Sequence, residues 1–271
     1  MTNDDASTGH LHGHHDSVLR SHRQRTADNS AAYLLPHLQA DARVLDAGCG
    51  PGTITIGLAA RVPGGSVVGV DASDDVLAEA RATADAATAT NVSFEVGDVT
   101  ALRFDDGSFD VVHVHQVLQH LPDPVAALAE LRRVCRAGGV VAAREGDYRA
   151  MCWHPCSPDL DEWCDLYRAV ARTTGGEPDG GRHVAAWARA AGYSEVVASA
   201  SAWCFATPEE RAWWGGLWAE RLTRSRFAEQ ATTTGLATPA DLARLAGAWR
   251  RWAADDDACF LVPHGEVLCS P

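Results

Sequence analysis

Residues 44–52 read Val-Leu-Asp-Ala-Gly-Cys-Gly-Pro-Gly, so Gly48, Gly50 and Gly52 occupy alternate positions directly after a short apolar run. Glycine reaches backbone conformations closed to other residues, and this spacing turns a strand sharply into a helix while leaving the backbone bare. Asp71 follows about twenty residues on, after the apolar run Val67-Val68-Gly69-Val70. At that distance an acidic side chain can bind the two hydroxyls of a ribose lying across the turn, with Ala72 and Ser73 beside it. The pair of features predicts a cofactor that contains a nucleoside.

The elements that must position these residues follow from periodicity. Positions 23–38 show Ala27, Ala31, Leu34, Leu35 and Leu38 at helical steps, with Pro36 ending the regular part. Val44-Leu45 opens the first strand, and the glycine turn feeds a helix from about Thr53 to Arg61. A second strand at 66–70 precedes a helix begun at Asp74 with Val76, Leu77, Ala80 and Ala84 on its apolar face. Residues 92–96 alternate as a strand and end at Gly97-Asp98, and 109–114 form a buried strand. Asp123-Pro124 starts the next helix, which Gly138-Gly139 should stop before a fifth strand at 140–143. Strand and helix alternating in this way are the pattern of a parallel sheet covered by helices on both faces.

Beyond residue 148 the rhythm changes. A short helix at 184–191 and a strand at 196–205 are followed by helices at about 208–230 and 239–253, then strand-like runs at 258–262 and 267–269. The expected fold is α/β, Rossmann-like: a seven-stranded, mostly parallel sheet with an antiparallel strand near the C-terminus, plus helical lid insertions. Residues 1–40 would supply a leader and helix over the cofactor site. The core would be 41–148, 183–206 and 257–271, and the substrate lid 149–182 and 207–256.

The chain has 271 residues, 46% of them hydrophobic, and a formal net charge of -13. That balance argues against nucleic acid as the main partner, since phosphate neutralisation needs Lys and Arg. No apolar run is long enough to span a bilayer, and Met1 is followed by polar residues, so a cytoplasmic protein with a small-molecule partner is expected, as monomer or homodimer. The eight cysteines lack disulfide-like spacing. Cys152, His154, Cys156 and Cys164 form one irregular group, read as small buried or half-buried thiols rather than as metal ligands.

The segment Val44 to Gly52, Asp71, Gly97-Asp98 and the block Phe109-Asp110-Val111-Val112…His120-Leu121…Asp123-Pro124…Leu128…Glu130…Arg133-Val134…Gly138-Gly139 together resemble class I S-adenosylmethionine-dependent methyltransferases. The nearest style is the UbiE-type group related to quinone-biosynthesis C-methyltransferases, over about residues 40–145. The leader Gly13-His14-His15…Ser21-His22…Arg25-Thr26 and the ending His264-Gly265-Glu266-Val267 are similar to a subgroup of that family. The resemblance implies S-adenosyl-L-methionine as cofactor and S-adenosyl-L-homocysteine as product. It implies a binding set of Asp46, Gly48, Cys49, Gly50, Gly52, Asp71, Ala72, Ser73, Gly97, Asp98, Val99, His115 and Gln116. Within it, Asp98 would accept from the adenine amino group while the Val99 amide meets a ring nitrogen.

The residues agree. A dinucleotide turn is spaced G-x-G-x-x-G, and here Thr53 stands where the third glycine would be. Asp46, directly before the turn, would repel a pyrophosphate and would suit the ammonium of a methionine moiety. Methyl transfer needs alignment and exclusion of water more than acid–base chemistry. Where a base is needed, His120, His14 and His15 are the candidates, although His120 also reads as a packing residue. All nine tryptophans lie after the fifth strand; Trp153, Trp163, Trp213, Trp214, Trp218, Trp249 and Trp252 fall in the lid. Most are expected to pack helices, with two or three lining a pocket for a planar or apolar acceptor. Two other readings compete: an arsenite-type methyltransferase using Cys152, Cys156 and Cys164, and a cofactor-binding regulator without catalysis.

Overall fold

Strands β1 (Arg43–Ala47), β2 (Ser66–Asp71) and β4 (Phe109–His115) are built on the apolar runs Val44-Leu45, Val67-Val68-Gly69-Val70 and Val111-Val112 because a parallel sheet is buried on both faces. They are the centre of an eight-stranded sheet in a computed structural model that describes residues 24–271. β3 (Val92–Val96) pairs parallel with β2 on one side, and β5 (Cys135–Gly146) pairs parallel with β4 on the other. β8 (Cys259–Ser270) runs antiparallel to β5, and β7 (Glu195–Phe205) runs antiparallel along the other edge of β8. This is the expected Rossmann-like sheet, with β8 as its antiparallel strand. A further three-residue strand, β6 (Cys152–His154), pairs with β8 at Cys259–Leu261, continuing the line that β5 leaves at Gly146.

The helices sit in four places. α1 (Ala27–Ser30) and α2 (Thr53–Ala59) cover one face of the sheet, where Ala27, Ala31, Leu34 and Leu58 pack on Val44, Val111 and Ala142. α4 (Pro124–Val134) and α6 (Gly180–Ala190) cover the other, with Leu128, Leu131 and Val184 against Val112, Val141 and Val267. α3 (Asp74–Ala86) lies beside the glycine turn, capped by the Ser73 hydroxyl. α5 (Pro158–Thr173), α7 (Pro208–Arg224), α8 (Arg226–Thr233) and α9 (Pro239–Ala254) form a separate helical layer with its own hydrophobic core. Each of these four starts on a Ser or Thr whose hydroxyl accepts a first-turn amide, which satisfies donors that a helix cannot pair internally.

Three boundaries differ from the periodicity. The helix expected over 23–38 is only α1 followed by turns and a 3-10 turn at Leu35–His37, where Pro36 removes a donor. Gly138 and Gly139 do not stop α4 but lie inside β5, where a register shift between Phe109 and Val111 admits them. The helix expected over 208–230 breaks at Ser225, whose hydroxyl donates to the Arg221 carbonyl and accepts from the Phe227 amide.

Trp163, fully buried, is the hub of the helical layer: Trp218 and Trp249 meet it edge-to-face at 4.5 and 4.7 Å. Trp163→Ala should cost about 3–5 kcal/mol of stability in urea unfolding, the usual range for a buried large aromatic. The glycine turn and strands β1 to β5 lie outside this cluster, so a loss below about 1 kcal/mol would mean that the layer is not an independent core.

Candidate functional site

The glycine turn connects β1 to α2 at the carboxyl edge of the sheet, where open α/β folds bind ligands. Gly48 and Gly52 have φ of 72° and 77°, the left-handed region that disfavours a side chain. At Gly48 a Cβ would also overlap Val117. The turn amides are spent inside the fold. Gly48 and Cys49 donate to the Val70 carbonyl at 2.7 and 2.9 Å, Gly52 to the Cys49 carbonyl, and Gly50 to Asp71 Oδ2 at 3.0 Å. A phosphate-binding turn must aim such amides at its ligand. This one does not, which removes the dinucleotide reading on grounds independent of glycine spacing. It also corrects the expectation of a bare backbone. Asp71 Oδ1 further accepts from the Ser73 amide, so this carboxylate both ties the turn to β2 and faces the cavity.

A cavity of about 590 Å³ opens over the turn, within the range typical of small-ligand sites. Its wall contains Asp46, Gly48, Cys49, Gly50, Asp71, Ala72, Gly97, Asp98, Val99, His115 and Gln116 from the sequence-derived set. Gly52 and Ser73 are not in it: Gly52 faces Ala80 and Phe94, and Ser73 caps α3. Asp46 is buried and already engaged, accepting from Thr55 Oγ1 at 2.6 Å and from His113 Nδ1 at 2.8 Å. Asp98 Oδ1 takes the Thr100 amide and hydroxyl.

A second cavity of about 560 Å³ lies between the sheet edge and the helical layer. Tyr148, Trp203, Phe205, Trp213 and Trp214 supply aromatic walls, with Phe205 stacked on Trp214 at 4.3 Å between centroids. Two of the seven tryptophans expected in a lid, Trp213 and Trp214, therefore line it. Trp163, Trp218, Trp249 and Trp252 pack in the helical core, and Trp153 stacks on Phe260. His120 also lines this second cavity, at the end of a 3-10 turn. His14 and His15 lie outside the described residues.

The cavities share two residues, Arg25 and Gln116. Gln116 has φ of 52°, uncommon for a non-glycine residue, and its amide donates to the Arg144 carbonyl. Its Oε1 accepts from Arg25 Nη2 at 2.7 Å and its Nε2 lies 2.7 Å from His264 Nε2. An amide nitrogen is a donor only, so His264 accepts there and is neutral. Burial, with Arg144 and Arg25 nearby, holds His264 well below the usual imidazole range. His115 is likewise buried and pushed well down, by burial first and then by the charge of Arg25. Beneath them a polar row crosses the sheet: Arg144 meets Glu266 at 3.1 Å, and Ser199 and Ser201 donate to the same carboxylate. Sequence reasoning named Arg25, His264 and Glu266 only as family resemblance and missed Arg221 altogether. Their roles depend on strand neighbours and a helix that come together from opposite ends of the chain.

Glu145, fully buried on β5, accepts the amides of Val117, Leu118 and Gln119 at 3.1, 3.0 and 3.2 Å. Burial still raises its pKa from 4.5 to about 7. The folded state thus holds an extra proton between those values, and this contribution to stability is present below about 4.5 and lost as pH rises through about 7. Glu145→Gln should destabilise the protein by about 1–3 kcal/mol, because an amide NH2 replaces one acceptor oxygen. The gap in melting temperature between wild type and variant should be larger at pH 5 than at pH 8; a gap that widens with pH would contradict the assignment.

Among the described residues no group of three His, Cys, Asp or Glu side chains is placed to hold a metal ion. Cys152 and Cys156 are exposed, Cys164 is buried with its thiol donating to the Tyr148 carbonyl, and none of the three lines either cavity. The thiols an arsenite enzyme needs therefore do not converge. No described helix is long and apolar enough to cross a membrane.

Comparison with known proteins agrees with this geometry. A family model described as a methyltransferase domain matches residues 38–207. An uncharacterized methyltransferase of Schizosaccharomyces pombe is 37% identical, covering 93% of this chain and 92% of that protein. A demethylmenaquinone methyltransferase of Shouchella clausii is 38% identical over 40% of this chain and 46% of its own length. Among solved structures, a Haemonchus contortus phosphoethanolamine N-methyltransferase, determined with phosphomonomethylethanolamine and S-adenosylhomocysteine, shares the fold. Its TM-score is 0.52 at 20% identity, over 86% of this chain and 49% of that one.

Proposed function

We propose, on the premise that this chain belongs to the methyltransferase-domain family, that it methylates a small, planar or apolar organic acceptor held in the aromatic cavity. It is an S-adenosylmethionine-dependent methyltransferase. The observation that carries the acceptor reading is the meeting of two cavities of similar size at Arg25 and Gln116. One is walled by the glycine turn, the other by aromatic side chains, so donor and acceptor would meet end to end as in-line transfer requires.

When bound, S-adenosylmethionine supplies an electrophilic methyl on a sulfonium whose thioether departs without protonation. In this reading Asp71 holds the ribose hydroxyls, using the acceptor capacity left by the Gly50 and Ser73 amides. Asp98 and the Val99 amide meet the adenine, at the far end of the same wall. Asp46 acts through its bonds to Thr55 and His113, as the buried negative charge nearest the turn. The helices of 149–182 and 207–256 act as a lid that excludes water, and Trp213 and Trp214 present their rings to the acceptor. For an acceptor that must lose a proton, His120 is the base in the acceptor cavity. The UbiE-type affinity rests on the motif block and on the partial likeness to the demethylmenaquinone enzyme, and fits a cytoplasmic small-molecule enzyme.

Calorimetry with S-adenosylhomocysteine tests the cofactor site. Asp71→Ala should weaken binding by about 1–3 kcal/mol, since it deletes the ribose acceptor and frees the Gly50 amide. Unchanged affinity would remove Asp71 from the site. Incubation with methyl-labelled cofactor and a metabolite pool should place label in small organic products; binding without any turnover would make the protein a regulator instead. Trp213→Ala should raise the acceptor KM several-fold, roughly the worth of one aromatic contact, and leave cofactor affinity alone. Equal effects on both would refute the aromatic-pocket assignment.

A further inference from the structure

We propose that the acceptor is anchored by a carboxylate or similarly delocalised anion seated on Arg25, with its planar body against Trp203, Trp213 and Trp214. This rests on the methyltransferase reading of the two cavities and adds the charge of the molecule that enters the second.

Among the described residues, Arg25 reaches the junction of the cavities with one hydrogen bond to protein, from Nη2 to the amide oxygen of Gln116. Its Nε is buried with no partner among the described residues, and its Cζ lies 5.8 Å from the centroid of the Trp203 ring. A guanidinium is a planar fork of donors matched to a carboxylate, and a desolvated one without an anion is costly. Three of the neighbouring carboxylates are already committed, while Glu209 in the first turn of α7 also lines the cavity. Glu145 holds three backbone amides, Glu266 is taken by Arg144, Ser199 and Ser201, and Glu210 accepts the amides of Ala206 and Thr207.

A second guanidinium adds to the field. Arg221 on α7 is buried, lines the same cavity and lies 5.0 Å from the centroid of the Trp218 ring. Burial lowers the pKa of Arg25, and the like charge of Arg221 lowers it further. Arg221 and Tyr148, the titratable groups that act most strongly on Arg25, line the aromatic cavity and not the glycine-turn cavity. That placement favours an anion on the acceptor over the carboxylate of the methionine moiety. Trp203 and the stacked Phe205–Trp214 pair supply aromatic lining to the cavity that Arg25 enters. Together they describe a conjugated or aromatic acid.

Quenching of the cavity tryptophans by 2-naphthoate and by its neutral isostere 2-naphthamide tests this on the full chain, with and without saturating S-adenosylhomocysteine. Wild type should prefer the acid by at least about tenfold, the worth of one charge-assisted contact. Arg25→Met should abolish that preference, and Arg25→Lys, which keeps the charge without the fork, should retain part of it. Both variants should bind S-adenosylhomocysteine within about threefold of wild type, a margin smaller than the loss of one charged hydrogen bond. Equal affinity for acid and amide in wild type, or no binding of the acid, overturns the proposal. So does an Arg25→Met variant that loses S-adenosylhomocysteine affinity while keeping the acid–amide ratio, since Arg25 would then serve the cofactor. If wild type fails to bind S-adenosylhomocysteine, the cofactor reading falls alone, and the acid–amide ratio measured without it still stands or falls by itself.

Discussion

One carboxylate organises the place where the two cavities meet. Glu145 sits on β5 with no exposure and gathers the amides of three successive residues that follow β4. Those residues would otherwise be a free loop across the sheet edge. Held this way, the backbone turns so that Gln116 faces both cavities and His120 faces one. Gln119 completes the arrangement by accepting the Gly146 amide through its side chain and the Glu177 amide through its carbonyl. A buried carboxylate bound by three amides is stabilised locally although burial raises its pKa; both effects act on the same group, and burial is the larger.

The architecture above this point is two cores rather than one. The sheet and its flanking helices bury aliphatic side chains on both faces, while the helical layer buries tryptophans and tyrosines among themselves. Phe260 and Val262 on β8 belong to the helical cluster, and Val267 and Cys269 on the same strand belong to the sheet core. The antiparallel strand is thus the seam between them. The aromatic cavity opens along that seam, where neither core closes over the other.

Much of the sheet was legible because parallel strands buried on both faces must be apolar, and helices between them must be capped and amphipathic. The strands around Asp46, Asp71 and His115 follow from that rule. Periodicity failed where local chemistry competed with it. Ser225 ends α7 by bonding its own helix, and Pro36 denies a donor to the segment after α1. Neither event changes the apolar spacing, so neither shows in it. Trp163 and Trp214 illustrate the same limit: both lie on helices of the helical layer, yet one is fully enclosed and the other faces a cavity.

The sequence by itself determined the turn, its flanking acids and the family to which they point, because those residues are close in the chain and constrained by backbone geometry that only glycine tolerates. The tertiary structure alone decided that the turn amides are spent within the fold, that Asp46 is shared by Thr55 and His113, and that three thiols stand apart. It also brought Arg25 from one end of the chain to His264 at the other through Gln116. Such contacts arise from strand order, which places β4 and β5 between segments distant in sequence, and no local pattern records it.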